Sequence, residues 1–351
     1  MNYSQYVIYV PYTVTWYLVR FLRRLFRRPP VLAFYCGNTL DYVVMRGVIA
    51  RFRQARVVAK RRRTRRRLRE EYGVRRCGLY PAFPDVVVMA RHVARKFPGR
   101  SIRRIGMRHG AYHFKDFVSA RRYNAFDAYM VTSSREVELA RRKGIESAVA
   151  VGFPKLDPAF DGSITERDLA ELGERIGMDP DRRTVVMTAT WERSRMSAVD
   201  KWIDRLDELA ADYNVLVTLH PWVSDEYAEK ARRAPGVCYI EGRDVLPYLM
   251  LADVMVADMS SIVAEFCALD RPIVGFRVTE GTRLSPEIQR MMDEISLQVG
   301  DFEGMLQAIE RSLAHPGELS GARSRWNRIM FDRLDGRAAQ RAAGVIREYL
   351  R

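Results

Sequence analysis

Short apolar runs and longer polar stretches alternate along the chain from Val31 to Phe276, which predicts a repeated order of strand and helix. The apolar runs are rich in valine and isoleucine, as is typical of strands buried on both faces. The segment 85–97 is also compatible with a helix. The predicted strands are 31–37, 85–90, 101–107, 125–133, 147–153, 184–190, 214–220, 237–242, 254–258 and, as the last strand of the chain, 272–276.

Two consecutive strand–helix sets indicate an α/β protein with two Rossmann-like domains that face each other across a cleft. A length of 351 residues suits two domains better than one. Ligands of such sheets bind beyond the carboxyl ends of the strands. We assign residues 1–30 to a basic N-terminal segment and residues 31–160 to a first domain. Residues 161–183 are assigned to a polar helical linker, 184–330 to a second domain and 331–351 to a C-terminal helix.

The net charge of +16 is concentrated at one end of the chain. Residues 1–76 contain 19 Lys and Arg against three acidic residues, and basic and acidic residues balance in the rest. The run 51–76 is predicted to be a helix followed by a charged, exposed connection. Such a patch attracts nucleic acid, anionic lipid or a polyanionic substrate. Nucleic acid is the less favoured partner because the run has little aromatic interleaving and no recognition motif.

The segment 6–22 is apolar and aromatic, and the basic sequence RRLFRRPP follows it. A secretory signal would carry its positive charge before the apolar run. The run is short for a membrane-spanning helix and contains a proline, so we expect a segment that lies in the plane of the membrane surface. A core helix of a soluble domain is the alternative. The candidate membrane contacts are Trp16, Arg20, Arg23, Arg24, Arg27 and Arg28.

The four cysteines are far apart in sequence and form no C-x-x-C motif. Reduced thiols are therefore expected, and neither a disulfide framework nor a zinc site. No carboxylate cluster suggests a Mg²⁺ site, so a metal requirement stays open, and no tightly bound cofactor is expected.

Two histidines follow predicted strands in opposite halves of the chain. His109 precedes Gly110, which permits a sharp turn, and His220 precedes Pro221, which stops the strand. An imidazole can accept a proton near neutral pH, so both are candidate catalytic residues. His92 and His315 lie in helical or helix-end contexts and are interpreted as structural, and His113 either supports His109 or is incidental.

Several other polar residues also follow predicted strands. Ser260 and Ser261 are expected to cap a helix after Asp258, which would form an anion site at the helix N-terminus. An ordinary N-cap is the alternative. Lys155 follows the strand 147–153 and is a candidate phosphate ligand. The strand 184–190 ends at Thr190. Trp191 follows directly, and Arg193 lies just beyond it.

The order of these pieces resembles the CDP-glycerol glycerophosphotransferase family of teichoic-acid synthesis. The chain has HG at 109–110, GFPKLD at 152–157, ATWER at 189–193, HP at 220–221 and DMSSIVAEFCALDRPIVGF at 258–276, where the family has HG, GYPRND, PTWR, HP and DYSS-x-x-F-D-F followed by DRPI. The resemblance covers about residues 100–280. It implies a GT-B fold whose first domain binds the acceptor and whose second binds the nucleotide donor.

The resemblance also implies transfer of a polyol phosphate from a CDP-polyol to a lipid-linked acceptor by a peripheral protein on the cytoplasmic membrane face. His109 then matches the family's base, and His220, Ser260 and Ser261 match the donor-phosphate site. The full set of expected donor contacts is Gly110, Lys155, Thr190, Trp191, Arg193, Pro221, Asp258, Ser260, Ser261 and Glu265.

The chain departs from the family pattern after HG, where Ala111 and Tyr112 replace Thr-Pro, and at Leu156, Met259 and Ala264. These changes leave the donor and acceptor open. The alternatives are a GT-B glycosyltransferase or epimerase that uses a nucleotide sugar, and a non-catalytic basic protein that binds membrane or nucleic acid.

Overall fold

The computed structural model describes residues 3–112, 117, 119–278 and 285–351. The strands and helices form two compact units. Unit 1 takes the described residues within 1–109, 117–157 and 337–351, and unit 2 takes those within 110–116 and 158–336.

All strands are parallel to their neighbours and are short, as in other α/β sheets. The strands are β1 (Leu32–Cys36), β2 (Arg56–Ala59), β3 (Cys77–Leu79), β4 (Val86–Met89), β5 (Arg103–Met107), β6 (Ala128–Val131), β7 (Ala148–Ala150), β8 (Thr184–Ala189), β9 (Asn214–Leu219), β10 (Val237–Tyr239), β11 (Val254–Ala257), β12 (Ile273–Phe276) and β13 (Leu297–Val299). The helices are α1 (Tyr3–Leu25), α2 (Thr39–Ile49), α3 (Arg62–Tyr72), α4 (Ala120–Tyr123), α5 (Ser134–Arg142), α6 (Glu166–Arg175), α7 (Leu206–Asp212), α8 (Asp225–Arg233), α9 (Leu246–Leu251), α10 (Ile262–Cys267), α11 (Pro286–Ile295), α12 (Phe302–Ala314), α13 (Ser320–Phe331) and α14 (Ala338–Glu348).

The strand order reverses once in each sheet. Unit 1 has the order β3-β2-β1-β4-β5-β6-β7, and unit 2 has the order β10-β9-β8-β11-β12-β13. The chain therefore changes direction between β1 and β4 in unit 1 and between β8 and β11 in unit 2. Crevices beyond the carboxyl ends of strands at such positions are where ligands of open α/β sheets bind. The predicted α/β class with two Rossmann-like sheets is confirmed.

Helix α1 is part of the core of unit 1. The Trp16 side chain is 1% exposed and lies in the same buried cluster as Tyr35 and Phe97. Its indole Nε1 donates a hydrogen bond of 2.7 Å to the carbonyl of Pro84. The expectation that Trp16 contacts membrane is therefore wrong, because burying the ring and satisfying its N–H removes it from the surface.

The opposite face of α1 is exposed and apolar. No helix in the described part of the chain is long and apolar enough to cross a membrane. The basic candidates Arg24, Arg27 and Arg28 are exposed near the end of the helix, whereas Arg20 and Arg23 are partly buried. The exposed large apolar side chains of α1 and of the residue just beyond it are spaced mostly three or four residues apart, as on one helix face, and are Val10, Val14, Tyr17, Leu18, Phe21, Leu22, Leu25 and Phe26.

Several predicted elements differ from the structure. The run 51–76 contains β2 and α3 instead of one helix, because its apolar residues at 57–59 suit a buried strand and Gly73 ends α3 in a left-handed conformation. The segment 161–183 is helical only in α6, whose start is fixed by a capping box of Thr165 and Asp168. The strand 272–276 is not the last one, since β13 pairs beside it.

The C-terminal helix α14 belongs to unit 1. The Asp157 carboxylate accepts hydrogen bonds from the backbone N–H groups of Ala338 and Ala339, at 2.9 and 2.7 Å. Gly152 has a φ of +86°, and a Cβ atom there would lie 2.9 Å from the Cβ of Ala338. The sequence GFPKLD therefore anchors the start of α14 through its glycine and its aspartate.

Candidate active site

His109 lies beyond the carboxyl end of β5 in unit 1. Its ring Nδ1 is 3.2 Å from the carbonyl oxygen of Ala90, which follows β4, and β4 borders the point where the strand order reverses. A carbonyl only accepts hydrogen bonds, so this contact assigns the proton of the neutral ring to Nδ1. Nε2 is then the basic nitrogen of an exposed imidazole.

A buried ion pair supports this region and was not predicted from the sequence. Arg108 pairs with Glu136, which is fully buried at the start of α5. The Glu136 carboxylate also accepts from the backbone N–H of Thr132 at 2.8 Å and from its hydroxyl at 3.0 Å. These bonds join the ends of β5 and β6 and so fix the backbone that carries His109.

His92 is near His109 but has a different character. Its ring stacks on Tyr129 with centroids 5.1 Å apart and meets Tyr123 edge-on at 4.4 Å. Desolvation by these neighbours, together with the positive charge of Arg108, lowers the pKa of His92 to about 4. His92 is therefore neutral at physiological pH and packs as an aromatic residue. His113 lies outside the described residues.

The second candidate histidine lies at the carboxyl end of β9 in unit 2. Its Nδ1 accepts a hydrogen bond of 3.2 Å from the backbone N–H of Trp222. An accepting Nδ1 assigns the proton of the neutral His220 ring to Nε2, opposite to the assignment for His109. His220 is thus arranged to donate a hydrogen bond, whereas His109 is arranged to accept a proton.

Two tryptophans surround His220. The ring of Trp191 is 4.8 Å from the imidazole, and the ring of Trp222 is 5.4 Å from it, centroid to centroid. The two indoles meet at 5.2 Å, and Trp222 is 68% exposed. Trp191 follows β8, so the predicted strand-end residues Trp191 and His220 are brought together, and Trp222 joins them although it was not predicted.

Asp258 is fully buried after β11, so the expectation that it touches the donor is wrong. Its carboxylate accepts from the backbone N–H of Thr190 at 2.9 Å and from that of Ala198 at 3.2 Å. Thr190 is also buried. Asp258 therefore holds the loop that presents Trp191. Burial raises the pKa of Asp258 to about 7, although the N–H donors oppose the shift.

We expect Asp258→Asn to change how stability depends on pH. Burial raises the folded-state pKa from 3.8 to about 7, so this group's contribution to stability is fully present below about pH 4 and is lost as the pH rises through about 7. The free energy of unfolding is measured by denaturant titration from about pH 4.5 to 8.5. Over this range the wild-type value should fall relative to that of Asp258→Asn by on the order of 2–4 kcal/mol. Parallel pH profiles for the two proteins would contradict this role.

Ser260 and Ser261 lie after β11 as predicted, but neither side chain caps α10. The N–H groups of Val263 and Ala264 donate to the carbonyls of the two serines, because the first turn of α10 is tight. The expected cap is therefore wrong, and the serines offer hydroxyl groups. A Cβ atom on Gly110 would lie 3.2 Å from the Ser261 hydroxyl oxygen, so the backbone of Gly110 passes close to this serine.

Two further predicted contacts are buried. Lys155 is 5% exposed and Glu265 is 3% exposed, so neither offers the open surface expected of a phosphate ligand. Arg193 and Pro221 are exposed. Within the described residues, no group of His, Cys, Asp and Glu is arranged to hold a metal ion, and the four cysteines are free thiols.

The fold is shared with solved structures of other proteins. The wall teichoic acid polymerase TagF, in a variant form, aligns with a TM-score of 0.73 at 13% identity over 100% of this chain and 98% of that chain. A UDP-N-acetylglucosamine 2-epimerase from Methanocaldococcus jannaschii aligns with a TM-score of 0.52 at 14% identity over 80% and 92% of the two chains.

Residues 99–348 match the family described as CDP-glycerol:poly(glycerophosphate) glycerophosphotransferase, and the chain belongs to that family. A teichoic acid poly(glycerol phosphate) polymerase of Bacillus spizizenii is 22% identical over 50% of this chain and 44% of its own length. The corresponding polymerase of Staphylococcus epidermidis is 20% identical over 36% and 19%. The chain thus spans less than half the length of these relatives.

Proposed function

We propose that this chain transfers a polyol phosphate, such as glycerol phosphate, from a CDP-activated donor to a hydroxyl group of a lipid-linked or cell-surface glycan acceptor. The observation that carries the proposal is the opposite hydrogen bonding of His109 and His220. One ring is set to accept a proton and the other to donate a hydrogen bond, and each of these can assist phosphoryl transfer. Membership of the family supports the CDP-activated donor.

In the proposed reaction the acceptor hydroxyl attacks the β-phosphorus of the CDP-polyol. Nε2 of His109 takes the hydroxyl proton while the new P–O bond forms. The bond from the β-phosphorus to the bridging oxygen breaks, and CMP leaves with that oxygen and its electron pair. The products are CMP and the acceptor carrying one more polyol phosphate. CDP-polyol is a substrate, and the proposal includes no tightly bound cofactor.

On the donor side, His220 would donate from Nε2 to a phosphate oxygen on which charge develops. The Ser260 and Ser261 hydroxyls and the exposed guanidinium of Arg193 would assist it. Trp191 and Trp222 offer indole faces on which a cytosine ring can stack. Asp258 would act indirectly, by holding the loop of Trp191.

We also propose peripheral attachment to the cytoplasmic face of the membrane. The exposed apolar face of α1 supports this, since a face that includes Leu18, Phe21 and Leu25 suits insertion at the lipid–water boundary. The exposed Arg24 and Arg27 would then meet anionic headgroups. Attachment of this kind would bring the enzyme to a lipid-linked acceptor.

Thermal unfolding with a panel of nucleotides tests the proposed donor. CDP-glycerol, CDP-ribitol and CMP should raise the unfolding midpoint by several degrees at about 100 times their Kd, because a ligand of the native state stabilises it by about 2.7 kcal/mol there. Trp222→Ala should weaken this effect, since stacking of one base contributes about 1–3 kcal/mol. His315→Ala, at the end of α12, is a control that should keep the full response.

The second candidate function is a nucleotide-sugar enzyme, favoured by the fold shared with UDP-N-acetylglucosamine 2-epimerases. Stabilisation by UDP-sugars and none by cytidine nucleotides would replace the proposed donor with this alternative.

A further inference from the structure

A groove of about 1000 Å³ opens in unit 1 between the end of α1 and the strands β1, β2 and β3. Its lining includes five arginines, which are Arg23 near the end of α1, Arg28 four residues before β1, Arg56 at the first position of β2, and Arg75 and Arg76 just before β3. Since parallel strands start at one edge of the sheet, Arg28, Arg56, Arg75 and Arg76 gather at the amino-terminal edge. His109 lies at the opposite, carboxyl-terminal edge, so the groove is separate from the candidate active site. We call it the arginine groove.

The remainder of the arginine groove is largely apolar. Its lining includes Val31, Ala33, Leu79 and Phe83, together with prolines from the connections around β1 and β4. The groove therefore has a positively charged part and an apolar part, as a site for an amphipathic anion requires.

Most of the positive charge of the groove is not compensated by the protein. Asp85 is the nearby carboxylate, and it is 3.8 Å from Arg20 and 3.6 Å from Arg23. Among the described residues, no carboxylate lies in ion-pair range of the other four groove arginines, all of which are exposed. Four cations side by side without acids favour a ligand with phosphate groups.

The surface beside the groove indicates which phosphate compound it takes. The exposed apolar face of α1 continues to Leu25 and Phe26, which are 64% and 68% exposed, and Arg28 of the groove follows two residues later. A water-soluble phosphate compound or a nucleic acid would make no favourable contact with an adjoining apolar helix face. A lipid in a bilayer presents its headgroup phosphate next to hydrocarbon, which matches this arrangement.

We propose that the arginine groove binds the phosphate headgroup of an anionic membrane lipid. The proposal rests on the membrane attachment proposed above and adds lipid selectivity to it. The apolar face of α1 supplies insertion into any bilayer, and Arg56, Arg75 and Arg76 supply the preference for anionic lipid.

Helix α3 offers a matched control, because it carries as many exposed arginines on the other face of the sheet. The connections β1-α2-β2 and β2-α3-β3 step in the same direction and therefore put α2 and α3 on one face. Phe34 meets Phe52, just beyond α2, on that face, whereas the neighbouring Ala33 points to the core that contains Trp16 of α1.

The test is co-sedimentation of the full chain with vesicles of phosphatidylcholine alone or with about one third phosphatidylglycerol. The triple variant Arg56→Gln, Arg75→Gln, Arg76→Gln should bind the anionic vesicles about 100-fold more weakly, at roughly fivefold for each arginine. Its binding to neutral vesicles should stay unchanged. The control variant Arg62→Gln, Arg63→Gln, Arg69→Gln removes the same charge from α3 and should weaken anionic binding less than about threefold. Equal losses in the two variants, or no loss in the groove variant, would overturn the proposal.

Two further measurements separate the proposals. The triple variant Leu18→Ser, Phe21→Ser, Leu25→Ser should weaken binding to both kinds of vesicle. Unchanged binding of this variant to neutral vesicles would refute insertion of α1 without affecting the lipid preference of the groove. Binding of a single-stranded RNA oligonucleotide is measured for the groove variant and for wild type. If the groove variant loses RNA binding and keeps anionic vesicle binding, the groove is a nucleic-acid site and the lipid proposal is wrong.

Discussion

Replacement of His109 by alanine is expected to lower kcat for polyol phosphate transfer by about 10²–10⁴-fold, the range for loss of a general base. The contact between Nδ1 and the Ala90 carbonyl makes Nε2 the proton acceptor, and alanine removes that nitrogen. KM for the CDP-polyol should change little, since His109 is assigned to the acceptor hydroxyl. Steady-state kinetics with CMP release as the readout measures both constants.

The His109→Ala effect needs a check on folding, which the thermal unfolding midpoint supplies. His109 is exposed, so the variant should unfold at nearly the wild-type temperature. Added imidazole should restore part of the lost rate by supplying the missing base. A variant that folds normally and keeps full kcat would remove His109 from the mechanism.

His220→Ala is expected to lower kcat by about 10²–10³-fold. This is the range for loss of one hydrogen-bond donor to an oxygen on which charge develops in the transition state. The bond from the Trp222 N–H to Nδ1 leaves Nε2–H as the donating group. A glutamine amide can place an N–H near that position, so His220→Gln should keep more activity than His220→Ala. Rapid-quench measurement of the first turnover reports this step directly.

The comparison of the two His220 variants separates a catalytic role from a packing role. Both substitutions remove the ring that contacts Trp191 and Trp222, so a packing role predicts the same loss in each. A donor role predicts a clear advantage for glutamine. Equal rates in the two variants would rule out the hydrogen-bond role proposed here.

The strand pattern was sufficient to predict the α/β class and the positions of His109 and His220. Valine-rich runs mark strands buried on both faces, and polar residues directly after them necessarily lie at the carboxyl edge of a parallel sheet. The short edge strand β13 was missed because three residues, two of them half-buried, give little periodicity.

Side-chain burial could not be predicted where tertiary contacts decide it. Asp258 reads as a strand-end ligand, yet backbone donors 60 and 68 residues earlier surround its carboxylate. Trp16 reads as an interfacial anchor, but the carbonyl of Pro84, 68 residues away, accepts its indole N–H. Partners so distant in sequence leave no local signal.

The basic run 51–76 is the opposite case. Its composition indicated an anion-binding role, but it did not predict the secondary structure of the run. The strand β2 is only four residues long and has basic residues around it, so its apolar run is too short to be recognised as a strand. The fold then divides the run between the arginine groove and α3 on opposite faces of the sheet. Only the three-dimensional arrangement distinguishes these two groups of arginines.

The central claim is tested most directly by following the transferred group. The full chain is incubated with CDP-glycerol labelled in its glycerol and with vesicles that contain a lipid-linked glycan acceptor. We predict that label enters the lipid fraction in a one-to-one ratio with CMP release, and that both fall together in His109→Ala. Absence of labelled lipid and of CMP, with turnover of a UDP-sugar under the same conditions, would contradict the account.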